Sequence, residues 1–532
     1  MEKCLRFRSW RNLVWLLFGF IAVFAMCVHI KPFYMFEMTD VAYHVNRVYQ
    51  MLSCIKNDMS LWFYNNDLNG MGYASSFFYG WITLVPFLPV YEFFGAENFV
   101  FVYHLISGLV LFIGLYMFAS RYTNKAGILS VLFIIQPIGF FYYYMSSLMP
   151  CLLGTGLCFI FFSYCIDYFR SGRNCGKACF MWFLIVNTHL ISMIFGFIGC
   201  VIIFLFYFDR ARVRDYITFC IYCCIVSLWN VMQILYYIHI YLDGENARLA
   251  LSGGFIYGKT LTLYSMFDIF GVLSGSYIVI YNFIIQFAIL FNLFRKKTKT
   301  KREKFALYLC IVGVVISVYP VFMFINERIN LIIQFPSRLY AFIFFVLMLI
   351  SFRDMRSDIL RLFAVFSGVI FLLYFLVDVD GDAVYPYEYH INEDVYRTSW
   401  ELQPYMALFG YIGTGEYLPS CSRVLWGSEI IEPDSGYNFR TGVTSVDLSE
   451  NTQDFVEVHR FYYKGYKSNA GKCYQTDTGY VGVNVSGFSG ILKVWYEYPL
   501  ILRLSFILEF IVIGFIILRN VFRILFKVQV LY

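Results

Sequence analysis

Stretches of about 20 apolar residues recur along nearly the whole chain, and no other feature restricts its fold so strongly. A run of that length, coiled as a helix, matches the hydrocarbon thickness of a bilayer and satisfies its own backbone polar groups there. The runs fall at roughly 12–30, 76–94, 97–119, 126–144, 149–169, 178–208, 215–240, 273–294, 305–325, 337–352, 359–377 and 501–523. The expectation is an α-helical polytopic protein of the cell membrane with about twelve transmembrane helices. Only 14% of the 532 residues are charged, where soluble domains carry about 25%.

The formal net charge of +6 does not point to nucleic acid, because the basic residues sit in short clusters between apolar runs. That is the positive-inside pattern of a membrane protein. The cluster from Arg295 to Arg302, then Arg353 with Arg356, then Arg519, Arg523 and Lys527 mark successive inner loops, and both termini are expected in the cytoplasm. The N-terminal half fits less well. Simple alternation puts Arg121, Lys125, Arg170, Arg173 and Lys177 outside, so either one segment is re-entrant or 178–208 is two short helices meeting near His189. Most of the 15 cysteines, such as Cys223, Cys224 and Cys310, lie in apolar runs and read as small buried hydrophobes. Cys220 and Cys223 have Cys-x-x-Cys spacing, but no second ligand pair accompanies them, and no metal site is expected.

Three regions follow. Residues 1–377 form the membrane module, with 31–75 as its first outer loop; 378–500 form an extracytoplasmic β-rich domain; 501–532 hold the final helix and a cytoplasmic tail. Short stretches such as 480–485 and 491–496 favour β-branched and aromatic residues, with Gly465 and Gly487 placed for turns between strands. Cys421 and Cys473 lie on the oxidising side, and whether they pair is left open by the sequence.

The richest polar stretch is Thr39-Asp-Val-Ala-Tyr-His-Val-Asn-Arg in the first outer loop. If it is helical, Asp40, His44 and Arg47 stand at i, i+4 and i+7 on one face. A carboxylate there can accept a proton while cationic neighbours neutralise a phosphate leaving group. The same ladder would equally brace an amphipathic helix lying at the interface. Arg338, at a helix start after Pro336, either clamps a lipid phosphate or extends to the headgroups. His189, inside an apolar run, requires a partner or a wet cavity and is a candidate to line a site. Glu245 and Arg248 are weaker candidates on an outer loop.

The segment Asp40-x-x-x-His44-x-x-Arg47 just after the first helix resembles the first outer loop of GT-C glycosyltransferases, polytopic enzymes that use polyprenyl-phosphate sugars. More narrowly, the chain resembles bacterial YfhO-type and 6-pyruvoyl-tetrahydropterin-synthase-related membrane proteins. The likeness runs through Gly72-Tyr73, Phe77-Phe-Tyr79, Thr188-His-Leu190, Gln334-Phe-Pro-x-Arg338, Gly413-Thr-Gly-Glu-Tyr-Leu-Pro419 and Phe461-Tyr-Tyr-Lys-Gly-Tyr466. Where those relatives often carry Trp before the arginine, this chain has Ser337.

The resemblance implies an inverting transfer from a polyprenyl-phosphate sugar to a cell-envelope glycan or glycopolymer at the outer membrane face. Asp40 would be the base. His44, Arg47 and Arg338 would hold the lipid phosphate, Tyr43, Tyr73 and Tyr79 would line a sugar or prenyl path, and His189 would line the site. No cofactor is implied beyond the lipid-linked donor, and one carboxylate is a poor ligand set for Mg²⁺ or Mn²⁺. A transporter or flippase of a lipid-linked saccharide and a non-catalytic envelope scaffold are the competing readings.

Overall fold

A computed structural model describes residues 10–29, 39–57, 80–135, 149–209, 212–243, 288–294, 300–317, 340–376, 436–438, 440–450 and 453–529. Its helices are α1 (Trp10–His29), α2 (Thr39–Lys56), α3 (Leu88–Ala119), α4 (Ala126–Ile134), α5 (Met149–Ser171) and α6 (Cys175–Val186). They continue with α7 (Leu190–Tyr207), α8 (Val213–Asp243), α9 (Lys301–Ser317), α10 (Tyr340–Phe352), α11 (Ser357–Leu376) and, after the strands, α12 (Leu500–Gln529). Among the described residues, three helical spans are long and apolar enough to cross a membrane: Asn98–Ala119, Met149–Ser171 and Leu190–Tyr207. The expected class thus holds in outline, a helical membrane protein with a small β region near its C-terminus.

Helix α5 is the hub, packed against α3, α6 and α7. It approaches α3 closely because both helices lack side chains where they cross. A Cβ added at Gly114 would lie 2.5 Å from the Gly156 carbonyl oxygen, and one at Gly156 would lie 2.6 Å from the Leu111 nitrogen. In lipid, where apolar surface gains little by leaving the solvent, such backbone proximity supplies the dispersion contacts that hold helices together.

The contacts also fix the helix directions. Phe20 meets Phe112 and Phe24 meets Phe101, so α1 runs antiparallel to α3. Leu111 opposes Gly156 and Phe118 opposes Phe162, so α3 and α5 run parallel. The Trp182 ring lies 5.4 Å from that of Phe161 and Lys177 lies over Tyr164, so α6 returns antiparallel along α5. Gly154 faces Ser192 and Arg170 lies over the Tyr207 ring, so α7 reverses again. The apolar run 178–208 is therefore a helical hairpin with its tip at Asn187–His189, the second of the two arrangements open to the sequence.

This hairpin corrects the alternation drawn from hydropathy. The run 76–94 also departs from a single helix: 81–87 form turns ending in a 3-10 turn, and Gly95, at φ 83° and ψ 179°, interrupts α3 seven residues after its start. With one span fewer there and one more at the hairpin, Arg121, Lys125, Arg170, Arg173 and Lys177 fall at the same end of the bundle as Arg353 and Arg356. Lys125 Nζ donates to the Arg353 carbonyl at 3.0 Å, and Arg121 pairs with Asp167 at 2.8 Å. Arg353 in turn pairs with Glu303 at 2.9 Å.

The β region has two antiparallel sheets. One has the order β1 (Tyr437–Asn438), β2 (Val443–Asp447), β7 (Ile491–Tyr496), β4 (Tyr466–Ser468); the other has β3 (Phe455–Phe461), β6 (Tyr480–Asn484), β5 (Cys473–Gln475). Val458, Val481, Val483, Leu492 and Val494 form its core, which Leu502 and Phe506 of α12 extend. Gly465 (φ 138°) and Gly487 (φ 71°) occupy turns, as their positions in the sequence imply. Buried Arg460 donates to the Gly442 carbonyl at 2.7 Å and lies 4.7 Å from the Tyr437 ring centroid. Cys473 is a free thiol whose pKa burial pushes up to about 11, while Cys421 lies outside the described residues.

Gly156→Val should force α3 and α5 apart at a cost of about 1–3 kcal/mol, typical of overpacking. The measurement is the SDS fraction at the unfolding midpoint of the reconstituted chain. Gly514→Val, on α12 where an added Cβ meets nothing within 4 Å, is the control expected to stay near wild type.

Candidate functional site

Residues 39–56 are helical, as the spacing of Asp40, His44 and Arg47 requires. Apolar Val45, Val48, Met51 and Cys54 recur every third residue and are buried. The stripe beside them, His44, Arg47 and Gln50, is buried as well, with Arg47 only 1% exposed. An interfacial helix would turn that stripe to water; here it faces protein. Enclosing a guanidinium costs several kcal/mol unless donors find acceptors.

Arg47 finds two of its acceptors nearby. One guanidinium nitrogen donates to the Gly80 carbonyl at 3.2 Å and the other lies 3.3 Å from His44 Nδ1. Arginine can only donate, so His44 accepts at Nδ1 and carries its proton at Nε2. The phenol of Tyr103, on α3, lies within electrostatic range of Arg47.

Gly80 links this pair to the hairpin tip. Its backbone lies so close to Asn187 that an added Cβ would fall 2.0 Å from the Asn187 carbonyl oxygen. Thr83 Oγ1 donates to the same oxygen at 3.1 Å. At the tip, His189 has extended backbone (φ −159°, ψ 126°) and caps α7, its Nδ1 accepting from the Ser192 N–H at 3.3 Å. Asn187 Nδ2 donates to the Phe183 carbonyl at 2.9 Å, whereas its buried Oδ1 meets no donor among the described residues. Arg47, Gly80, Asn187 and His189 thus lie along one polar seam between α2 and the tip.

Beyond α2 stands the β region. Tyr437 is close enough to Cys54 for the two to interact electrostatically, and burial pushes the Tyr437 phenol pKa up against the opposing pull of Arg460. Lys56 reaches Glu92 at 2.9 Å, an exposed pair of small energetic weight.

Of the residues singled out in the sequence, the structure brings His44 and Arg47 into contact and sets His189 on the adjoining tip. Asp40 and Tyr43 are on the first turns of α2, with their side chains outside the described residues. Tyr73, Tyr79, Glu245, Arg248 and Arg338 also lie outside them. Sequence reasoning missed Gln50, which continues the stripe of His44 and Arg47 at the same spacing. It also missed Gly80, Tyr103 and Asn187, whose roles come from tertiary packing.

Comparison with protein-family models, curated proteins and solved structures finds no match to this chain.

The cap gives a test of what His189 does. His189→Ala should cost about 1 kcal/mol in unfolding free energy, as loss of an N-cap acceptor does, and His189→Asn should recover most of it. If the imidazole also serves a substrate, the Asn form will regain stability without regaining activity.

Proposed function

We propose that the chain is a GT-C-type glycosyltransferase that moves a sugar, with inversion, from a polyprenyl-phosphate donor to a cell-envelope acceptor. The observation carrying this reading is the buried Arg47–His44 pair, set against the hairpin tip through Gly80. Cationic and neutral donors in a protein-lined site favour a leaving phosphate more strongly than the same groups in water. Together with the motifs that resemble GT-C enzymes, this arrangement favours chemistry over anchoring.

In the proposed reaction the Asp40 carboxylate takes the proton of an acceptor hydroxyl. The hydroxyl oxygen attacks the anomeric carbon on the face opposite the phosphate, the bond from that carbon to the phosphate oxygen breaks, and the polyprenyl phosphate leaves with the electron pair. Arg47, Arg338 and His44 neutralise or hold the departing phosphate, while Tyr43, Tyr73, Tyr79 and His189 line the path of sugar or prenyl chain. No metal takes part.

The reading includes an orientation. The end bearing Arg121, Arg173, Lys177 and Arg353 faces the cytoplasm with both chain termini, and α2, the hairpin tip and the β region face outward. About twelve membrane-embedded helices result when α6 and α7 count separately and helical 288–294 belongs to one more. One observation favours a transporter of a lipid-linked saccharide instead: the break at Gly95 within α3, since interrupted helices often mark transport sites.

Two measurements test these points. With radiolabelled polyprenyl-phosphate sugar, membranes should form a labelled glycan; Asp40→Asn should slow this about 10²–10⁴-fold, the share of a general base. Asp40→Glu should recover only part of it, and Arg47→Ala and Arg338→Ala should lose it at matched abundance. Label that crosses the bilayer without joining an acceptor would favour the transporter. In intact cells an impermeant thiol reagent should modify a cysteine placed at Lys472 but not one placed at Arg173; the reverse would refute the orientation.

A further inference from the structure

We propose that the outward face of the β3–β6–β5 sheet is a binding platform for a neutral glycan chain. Val481 and Val483 point into the core, so Gly482 between them points out. Glu457 on β3 and Tyr474 on β5 stand directly opposite Gly482 and share its face. A Cβ added to Gly482 would lie 2.6 Å from Tyr474 Cε2 and 2.7 Å from Cζ, so the phenol ring lies across the glycine. Its other side is open, and Tyr474 is 39% exposed.

An aromatic ring covering a cross-strand glycine can serve the sheet alone, but its neighbours extend the pattern. Phe455, at 61% exposure, lies on the same face one row away, and on the opposite side the His459 and Tyr480 rings sit 5.4 Å apart. Between them the Glu457 carboxylate accepts from Thr478 Oγ1 at 2.5 Å. Rings of this kind pack against the C–H face of a pyranose, while a carboxylate and an imidazole hydrogen-bond its hydroxyls. The carboxylate repels anionic polymers, and polar groups between the rings are unsuited to lipid. A neutral saccharide satisfies both constraints.

The platform goes beyond the transferase reading and does not require it. The full-length chain in zwitterionic nanodiscs should bind, on an array of neutral hexasaccharides of glucose, galactose, mannose and N-acetylglucosamine, at least one of them. Tyr474→Ala should weaken binding about tenfold or more, as truncating an anchoring ring does, and Tyr474→Phe should keep most of it. Arg356→Ala, exposed at the opposite end of the bundle, should bind as wild type. If Tyr474→Ala lowers the unfolding midpoint, Phe455→Ala provides the second variant and should also weaken binding. A chain that holds no glycan on the array, or variants at both rings that bind normally, would overturn the proposal. So would self-association in sedimentation that Tyr474→Ala abolishes, because the face would then belong to a second copy of the chain.

Discussion

A guanidinium enclosed among apolar helices has to be solvated by protein, and much of the arrangement around α2 answers that demand. Arg47 reaches the Gly80 carbonyl. That carbonyl is in position because residue 80 has no side chain to push it away from Asn187. Asn187 is available because the chain breaks its helix there and turns back. An uninterrupted helix over 178–208 would have committed the Asn187 carbonyl to the turn above it and left Thr83 without that acceptor. The charge on α2 and the hairpin between α6 and α7 therefore belong to one constraint.

How much of this was legible in the sequence depended on whether the signal was local. Residues 39–50 carry helical spacing, and they are helical; 480–485 and 491–496 carry strand composition, and β6 and β7 form there. The open choice over 178–208 and the error over 76–94 have a common cause. Hydropathy averaged over about 20 residues is insensitive to three polar residues at a hairpin tip, so Asn187-Thr-His189 was absorbed into an apolar run. The same averaging took 76–94 for a full span where 81–87 form turns, although the boundary between 94 and 97 coincides with the break at Gly95. The basic clusters recorded the discrepancy: Arg121 and Arg170 violated alternation because the span count before each was wrong.

The site shows the same division. The stripe of His44 and Arg47 was readable from their spacing, and Gln50 was available by extending it. Burial of that stripe was not readable, because a polar face on an amphipathic helix has the same sequence whether it meets water or a neighbouring loop. Only the tertiary approach of Gly80 and Tyr103 decides between them.

Helix α12 has a foot in two cores. Leu502 and Phe506 complete the interior of the sheets, and two turns further on Val512 packs against Phe183 of the hairpin. Close-packed interiors transmit displacement because they have little free volume to absorb it. A tilt of the sheets is therefore carried along a single stiff rod to α6, the leg of the hairpin that ends at Asn187. In mechanical terms the β region is the long arm of a lever whose short arm ends one helical turn from Asn187.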